Sequence, residues 1–171
     1  GTLAAPRISA HLWRWFGDSS PDGRREIMNL LENHWQANGS ADCGPGGETP
    51  KQMLANLEER TDRNRRLVIP WLDTVRRLEG LRVLEVGCGT GCGLIPLTEQ
   101  RAQVTGVDVR DDSLRVAQAR LDAQDLSANL IRANTNELVG TLRSESFDLI
   151  LFWASLEHMT IDERLTAMRE T

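Results

Sequence analysis

Apolar and polar positions change period twice along the chain. Ile8, Leu12, Trp15 and Phe16, then Ile27, Leu30, Leu31 and His34, recur at helical spacing. A Ser-Ser-Pro-Asp-Gly turn at 19–23 separates them, so the pattern predicts two short helices within 8–36. Residues 37–50 carry Gly39, Gly44, Pro45, Gly46, Gly47 and Pro50 and read as a loop. Helices are predicted over 51–67 and 70–79, the second opening with Pro70 in its first turn. From residue 81 the pattern alternates: strand 81–86, helix 91–101, strand 103–107, helix 113–125, strand 129–133, strand 147–152 and helix 161–170. Ser113 is a candidate cap for its helix, with Asp111 and Asp112 near the positive end. Strand–helix alternation of this kind predicts a doubly wound parallel sheet, with a ligand over the carboxyl ends of the strands where strand order reverses.

The run Val83-Leu84-Glu85-Val86-Gly87-Cys88-Gly89-Thr90-Gly91-Cys92-Gly93 narrows the choice of ligand. A buried strand ends in alternating glycines, which let backbone approach a ligand closely and adopt positive φ. The helix that follows points free N–H groups at whatever lies over the loop. The dinucleotide pattern G-x-G-x-x-G fails, because Cys92 and Leu94 stand where its third glycine belongs. The P-loop pattern fails for want of a lysine. Asp108 follows the strand 103–107, 21 residues beyond Gly87, where an acid can accept bonds from ribose hydroxyls.

What stands is E-x-G-x-G-x-G. It resembles motif I of the class I S-adenosylmethionine (SAM)-dependent methyltransferases. V-T-G-V-D-V resembles that family's second motif, and Ala133-Asn134-Thr135 stands where it often has G-D-A. Phe147-Asp148-Leu149-Ile150-Leu151-Phe152 followed by Leu156-Glu157-His158 resembles its F-D-L-V-V…L-E-H stretch. The four motifs occur in order over 81–170, and the first 80 residues show no comparable match.

The resemblance implies a Rossmann-like α/β core at 81–171 under an N-terminal helical lid at 1–80. It implies a methyl transfer from SAM, leaving S-adenosylhomocysteine (SAH); the alternative, given the missing strands, is a SAM- or nucleotide-binding module without turnover. Expected cofactor contacts are Glu85, Gly87, Cys88, Gly89 and Gly91 in the loop, and Asp108 and Val109 after the second strand. Asn134 and Thr135 follow the third strand, and Phe152 and Trp153 the fourth. Glu85 would face the cofactor's ammonium and sulfonium end; the plainer reading is a buried acid capping loop N–H groups. Trp153 would contact adenine or flank the sulfonium, or else pack in the core. No catalytic residue is assigned. His158 is the one histidine near the site and the candidate base, with packing at a helix start the preferred reading. Arg66 lies where some members hold the cofactor carboxylate, but a surface charge is preferred. The family's sheet has seven strands and this chain supplies four, so an incomplete domain is expected. Its apolar edge strand 147–152 would invite a homodimer or a swapped assembly.

Composition sharpens the partner classes. A net charge of −5 argues against a general nucleic-acid binder. The arginines Arg60, Arg63, Arg65, Arg66, Arg76 and Arg77 alternate with acids and read as a solvated helix face. No apolar run approaches the roughly 20 residues a membrane span needs. Three cysteines predict free thiols in a reducing, cytoplasmic compartment rather than disulfides. Cys88-x3-Cys92 invites an iron–sulfur reading, but Ile95 stands where the third ligand belongs. His11, His34 and His158 lack paired metal-ligand spacing, so no metal is expected. The expected acceptor is a small molecule, covered by short amphipathic helices carrying Trp13, Trp15 and Trp35, which otherwise pack as core.

Overall fold

The computed structural model describes residues 21–38, 50–134, 142 and 147–170. Helix α1 spans Pro21–Asn38 and helix α2 Pro50–Arg63. A π-helical turn, Asn64–Val68, joins α2 to α3, Ile69–Val75. Strand β1 is Arg82–Val86, α4 Leu94–Glu99, β2 Gln103–Asp108, α5 Asp111–Asp122, β3 Asn129–Arg132 and β4 Leu149–Leu151. A 3-10 turn, Leu156–His158, and α6, Ile161–Glu170, follow.

The sheet is parallel throughout, in the order β3-β2-β1-β4. Strand order therefore reverses between β1 and β4, and the crevice at their carboxyl ends is the expected ligand position. Strand β1 is buried on both faces, as its near-continuous apolar run demands. Val83 packs with Leu94, Leu97, Val104, Leu114 and Ile69 on one face. Leu84 and Val86 pack with Val107, Ile150 and Phe152 on the other. A further apolar layer lies outside α5, where Ile27 and Leu31 of α1 meet Leu57 of α2, Val116 and Cys92. Complete burial of Ile27 and Leu31 contributes about 1.5–3 kcal/mol each, which fixes α1 and α2 beside the glycine loop.

Several boundaries differ from the sequence expectation. Helix α1 begins at Pro21, inside the expected turn, because proline suits the first helical position. The first expected helix, before the turn at 19–23, and residues 39–49 of the loop expected at 37–50 lie outside the described residues; at the loop's described ends, residues 37 and 38 close α1 and Pro50 opens α2. No break separates the helices expected at 51–67 and 70–79. The π turn carries the chain through, with the Ile69 N–H donating to the Asn64 carbonyl, and Pro70 needs no donor at the start of α3. Helix α3 stops at Val75, since Arg76 is extended. Helix α5 starts at Asp111, so Ser113 is an interior buried residue rather than a cap. Strand β4 has three residues, not six, and among the described residues pairs with β1 alone. Asp148 braces its start: its carboxylate accepts from the Arg82 backbone N–H and guanidinium at 2.9–3.0 Å. No helix among the described residues is long and apolar enough to cross a membrane.

Candidate functional site

The glycine loop turns back onto β2 through hydrogen bonds from the Gly87 and Cys88 N–H groups to the Val107 carbonyl, at 2.8 and 3.0 Å. Gly87, Gly89 and Gly91 all have positive φ. At Gly87 a Cβ would also strike the Ser155 side chain, and at Gly93 it would strike the Glu85 carboxylate. These glycines thus permit two close approaches, of the β4 loop and of the Glu85 side chain. Gly106 serves likewise within β2: a Cβ there would come within 2.8–2.9 Å of Cys88 Sγ and Leu94. Ala154, beside Ser155, has φ +52. A non-glycine residue in that region stores strain of the kind found at ligand sites.

Above the loop lies a cavity of about 720 Å³. The loop and Glu85 form its floor, Leu31, Met53, Leu57, Arg60, Arg63 and Asn64 one wall, and Trp153 and Ala154 another. Glu85 is only 3% exposed, and its Oε2 has no hydrogen-bond partner. Burial, with Cys92 nearby, raises its pKa to about 8. An orphaned acid at the floor of a cavity is a costly arrangement that a cationic ligand would relieve.

Of the expected site residues, the cavity brings together Glu85, Gly87, Cys88, Gly89 and Trp153. Gly91 lies just behind, its backbone packed on Ala117. Asp108 stands beside the cavity, accepting from the Gly89 N–H at 2.8 Å and the Arg110 N–H at 2.9 Å. Its first role is therefore to hold the loop. Val109 and Asn134 are exposed at the ends of β2 and β3, and Thr135 lies outside the described residues. Phe152 packs in the core on the far face of the sheet, and His158 is exposed on the 3-10 turn, off the cavity. Arg66 is 69% exposed and pairs with Asp62 at 2.7 Å, a surface charge as preferred above. The arginine cluster, however, is not one solvated face. Arg65 pairs with Glu99, Arg66 with Asp62 and Arg77 with Glu79, while Arg60 and Arg63 line the cavity and make no ion pair among the described residues. Met53, Leu57, Arg60 and Asn64, at helical spacing on one face, were the available signal.

Arg120 of α5 is also part of this structure. It is 2% exposed and donates to the Thr90 carbonyl and to Thr61 Oγ1, each at 2.6 Å. It thereby clamps the loop to α2. Asn64 adds a bond from Nδ2 to the Cys92 carbonyl at 3.0 Å.

Comparison with known proteins decides the lineage. The family described as "Methyltransferase domain" matches residues 83–171, more than half of the chain. The chain belongs to this family. The match runs from β1 through α6 and includes the glycine loop; the α2 wall of the cavity precedes it. The chain is 34% identical over 86 residues to the ubiquinone biosynthesis O-methyltransferase of Rhizobium leguminosarum, covering 50% of this chain and 33% of that protein. To the enzyme of the same name from Nitrosospira multiformis it is 33% identical over 93 residues, covering 54% and 38%. The chain thus spans about a third of the length of these relatives. Among solved structures, the magnesium protoporphyrin IX methyltransferase of Synechocystis with bound SAM shares the fold at TM-score 0.57 and 19% identity, over 89% of this chain and 71% of that one. A SAM-dependent methyltransferase of Archaeoglobus fulgidus does so at 0.53 and 22%, over 67% and 46%.

Proposed function

We propose that this chain binds SAM between α2 and the glycine loop, and that the protein to which it belongs transfers the methyl group to a small-molecule acceptor. The observation that carries the reading is the unpartnered, buried Glu85 carboxyl at the β1/β4 switch point. The other residues fit the same ligand. Glu85 suits the ammonium of its amino-acid end, and the guanidinium groups of Arg60 and Arg63, which make no ion pair among the described residues, suit the carboxylate. Each Asp108 oxygen accepts one backbone bond and keeps a lone pair for a ribose hydroxyl. Trp153, 41% exposed, offers an aromatic face beside the loop. Bound SAM supplies an activated methyl group on a sulfonium. The chain's own share is alignment and exclusion of water, which need no base unless the acceptor arrives protonated. A cavity of about 720 Å³ is of small-ligand size, and a net charge of −5 argues against a general nucleic-acid binder. The O-methyltransferase names of the relatives favour an oxygen acceptor.

Calorimetry is expected to show SAH binding in preference to NAD. Asp108→Ala should weaken SAH by about 1.5–3 kcal/mol, the cost of losing bonds to a charged acceptor. Equal affinity for NAD, or an unchanged Asp108→Ala variant, overturns the cofactor reading. With the full-length protein, tritium from labelled SAM should enter a metabolite pool. Label entering only RNA or protein would refute the small-molecule acceptor and leave the cofactor standing.

A further inference from the structure

We propose that Cys92 is a covalent modification site for soft, uncharged electrophiles, activated by the buried guanidinium of Arg120, and that a group placed on its Sγ obstructs the cavity above the glycine loop. The second half rests on the reading above. Cys92, 8% exposed, lines the same cavity as the orphaned Glu85 carboxyl, as does Cys88, which is 5% exposed; what sets Cys92 apart is its guanidinium neighbour. Arg120 donates from Nη1 to Cys92 Sγ at 3.5 Å. Its remaining bonds go to neutral oxygens: Thr90 O, Thr61 Oγ1 and Leu57 O. It makes no ion pair with a carboxylate among the described residues. A buried guanidinium of this kind needs a negative partner, and the sulfur is the ionisable group it touches.

The groups around Sγ act in opposite senses. Burial opposes ionisation, while Glu85 of β1, the second acid nearby, is itself raised by Cys92 and keeps its proton up to about 8. Against these stand Arg120 of α5 and Arg60 of α2, and the balance draws the thiol below its ordinary value. In the thiol form Sγ reaches the Leu57 carbonyl at 3.6 Å. That carbonyl also accepts from Thr61 at 2.7 Å, so ionisation does not leave it bare. Cys88 provides an internal contrast: buried below the loop beside Gly106, with Glu85 and Asp108 as its charged neighbours, it is pushed well above the ordinary thiol range. With iodoacetamide the reaction balances simply. The Sγ–C bond forms as the C–I bond breaks, iodide leaves with the electron pair, and any thiol proton goes to solvent. The product is a neutral thioether facing an uncompensated guanidinium.

The test is iodoacetamide labelling of the folded chain from pH 6 to 9, read by peptide mass spectrometry. Cys92 should label at least tenfold faster than Cys88, with a half-maximal rate below the ordinary thiol value of about 8.5. Arg120→Lys should keep most of that rate, and Arg120→Met should lose it at least tenfold. If Arg120→Met does not fold, the Arg120→Lys variant, the pH profile and the Cys88 standard decide. Labelling no faster than at Cys88, or labelling only in denaturant, overturns the site. SAH should slow labelling. If calorimetry shows SAH bound and labelling is unslowed, the obstruction half falls. If SAH does not bind at all, the cofactor reading falls while the labelling contrast still decides the site.

Discussion

Glu85→Gln is expected to stabilise the ligand-free chain at pH 8 while weakening SAH at least tenfold. In the unfolded chain Glu85 ionises near 4.5, whereas in the fold it keeps its proton up to about 8. Between those values the native state binds the extra proton, so stability falls as pH rises through the window and levels off above it. The full effect is roughly 4–5 kcal/mol. A neutral glutamine of the same shape removes this dependence. Thermal unfolding from pH 5 to 8.5 checks it: the native chain should lose melting temperature across that range relative to the variant. A cation bound in the cavity favours the carboxylate, so SAH uptake at pH 7 should release a proton, visible as a buffer-dependent binding heat. Parallel pH profiles for the two proteins would mean that Glu85 is already ionised and paired.

Gly87→Ala is expected to cost about 2–5 kcal/mol of stability. Left-handed backbone at φ +77 accounts for about 1–2 kcal/mol once a Cβ is present. The collision of that Cβ with Ser155 adds overpacking of about 1–3 kcal/mol. Gly89→Ala is the control, because it also has positive φ, +51, but meets nothing within 4 Å. Denaturant unfolding of both variants separates the two contributions. Ser155→Gly in the Gly87→Ala background should recover the packing part, and a double-mutant cycle measures that coupling. Equal losses at Gly87 and Gly89 would show that the Ser155 contact carries no energy.

Much of this protein was legible in local pattern. The apolar runs of β1 and β2 announce strands buried on both faces, because a parallel sheet covered by helices tolerates few polar positions. The glycine alternation after Glu85 announces a tight loop, since positive φ is cheap only there. Asp108 at the end of β2 follows from the same unit. Other features depend on partners remote in sequence. Pro70 looks like a helix start, yet a π turn carries the chain from Pro50 to Val75. Ser113 looks like a cap, yet packing draws it inside α5. Arg60, Arg63 and Arg66 are alike as residues; α2's seat against the loop turns the first two to the cavity and leaves Arg66 outside. Arg120 reads as one more charge on an amphipathic helix, yet it is the buried clamp between loop and α2. Periodicity specifies which residues share a face. Which face meets which element, and so whether Glu85 is paired or orphaned, is settled by long-range packing alone.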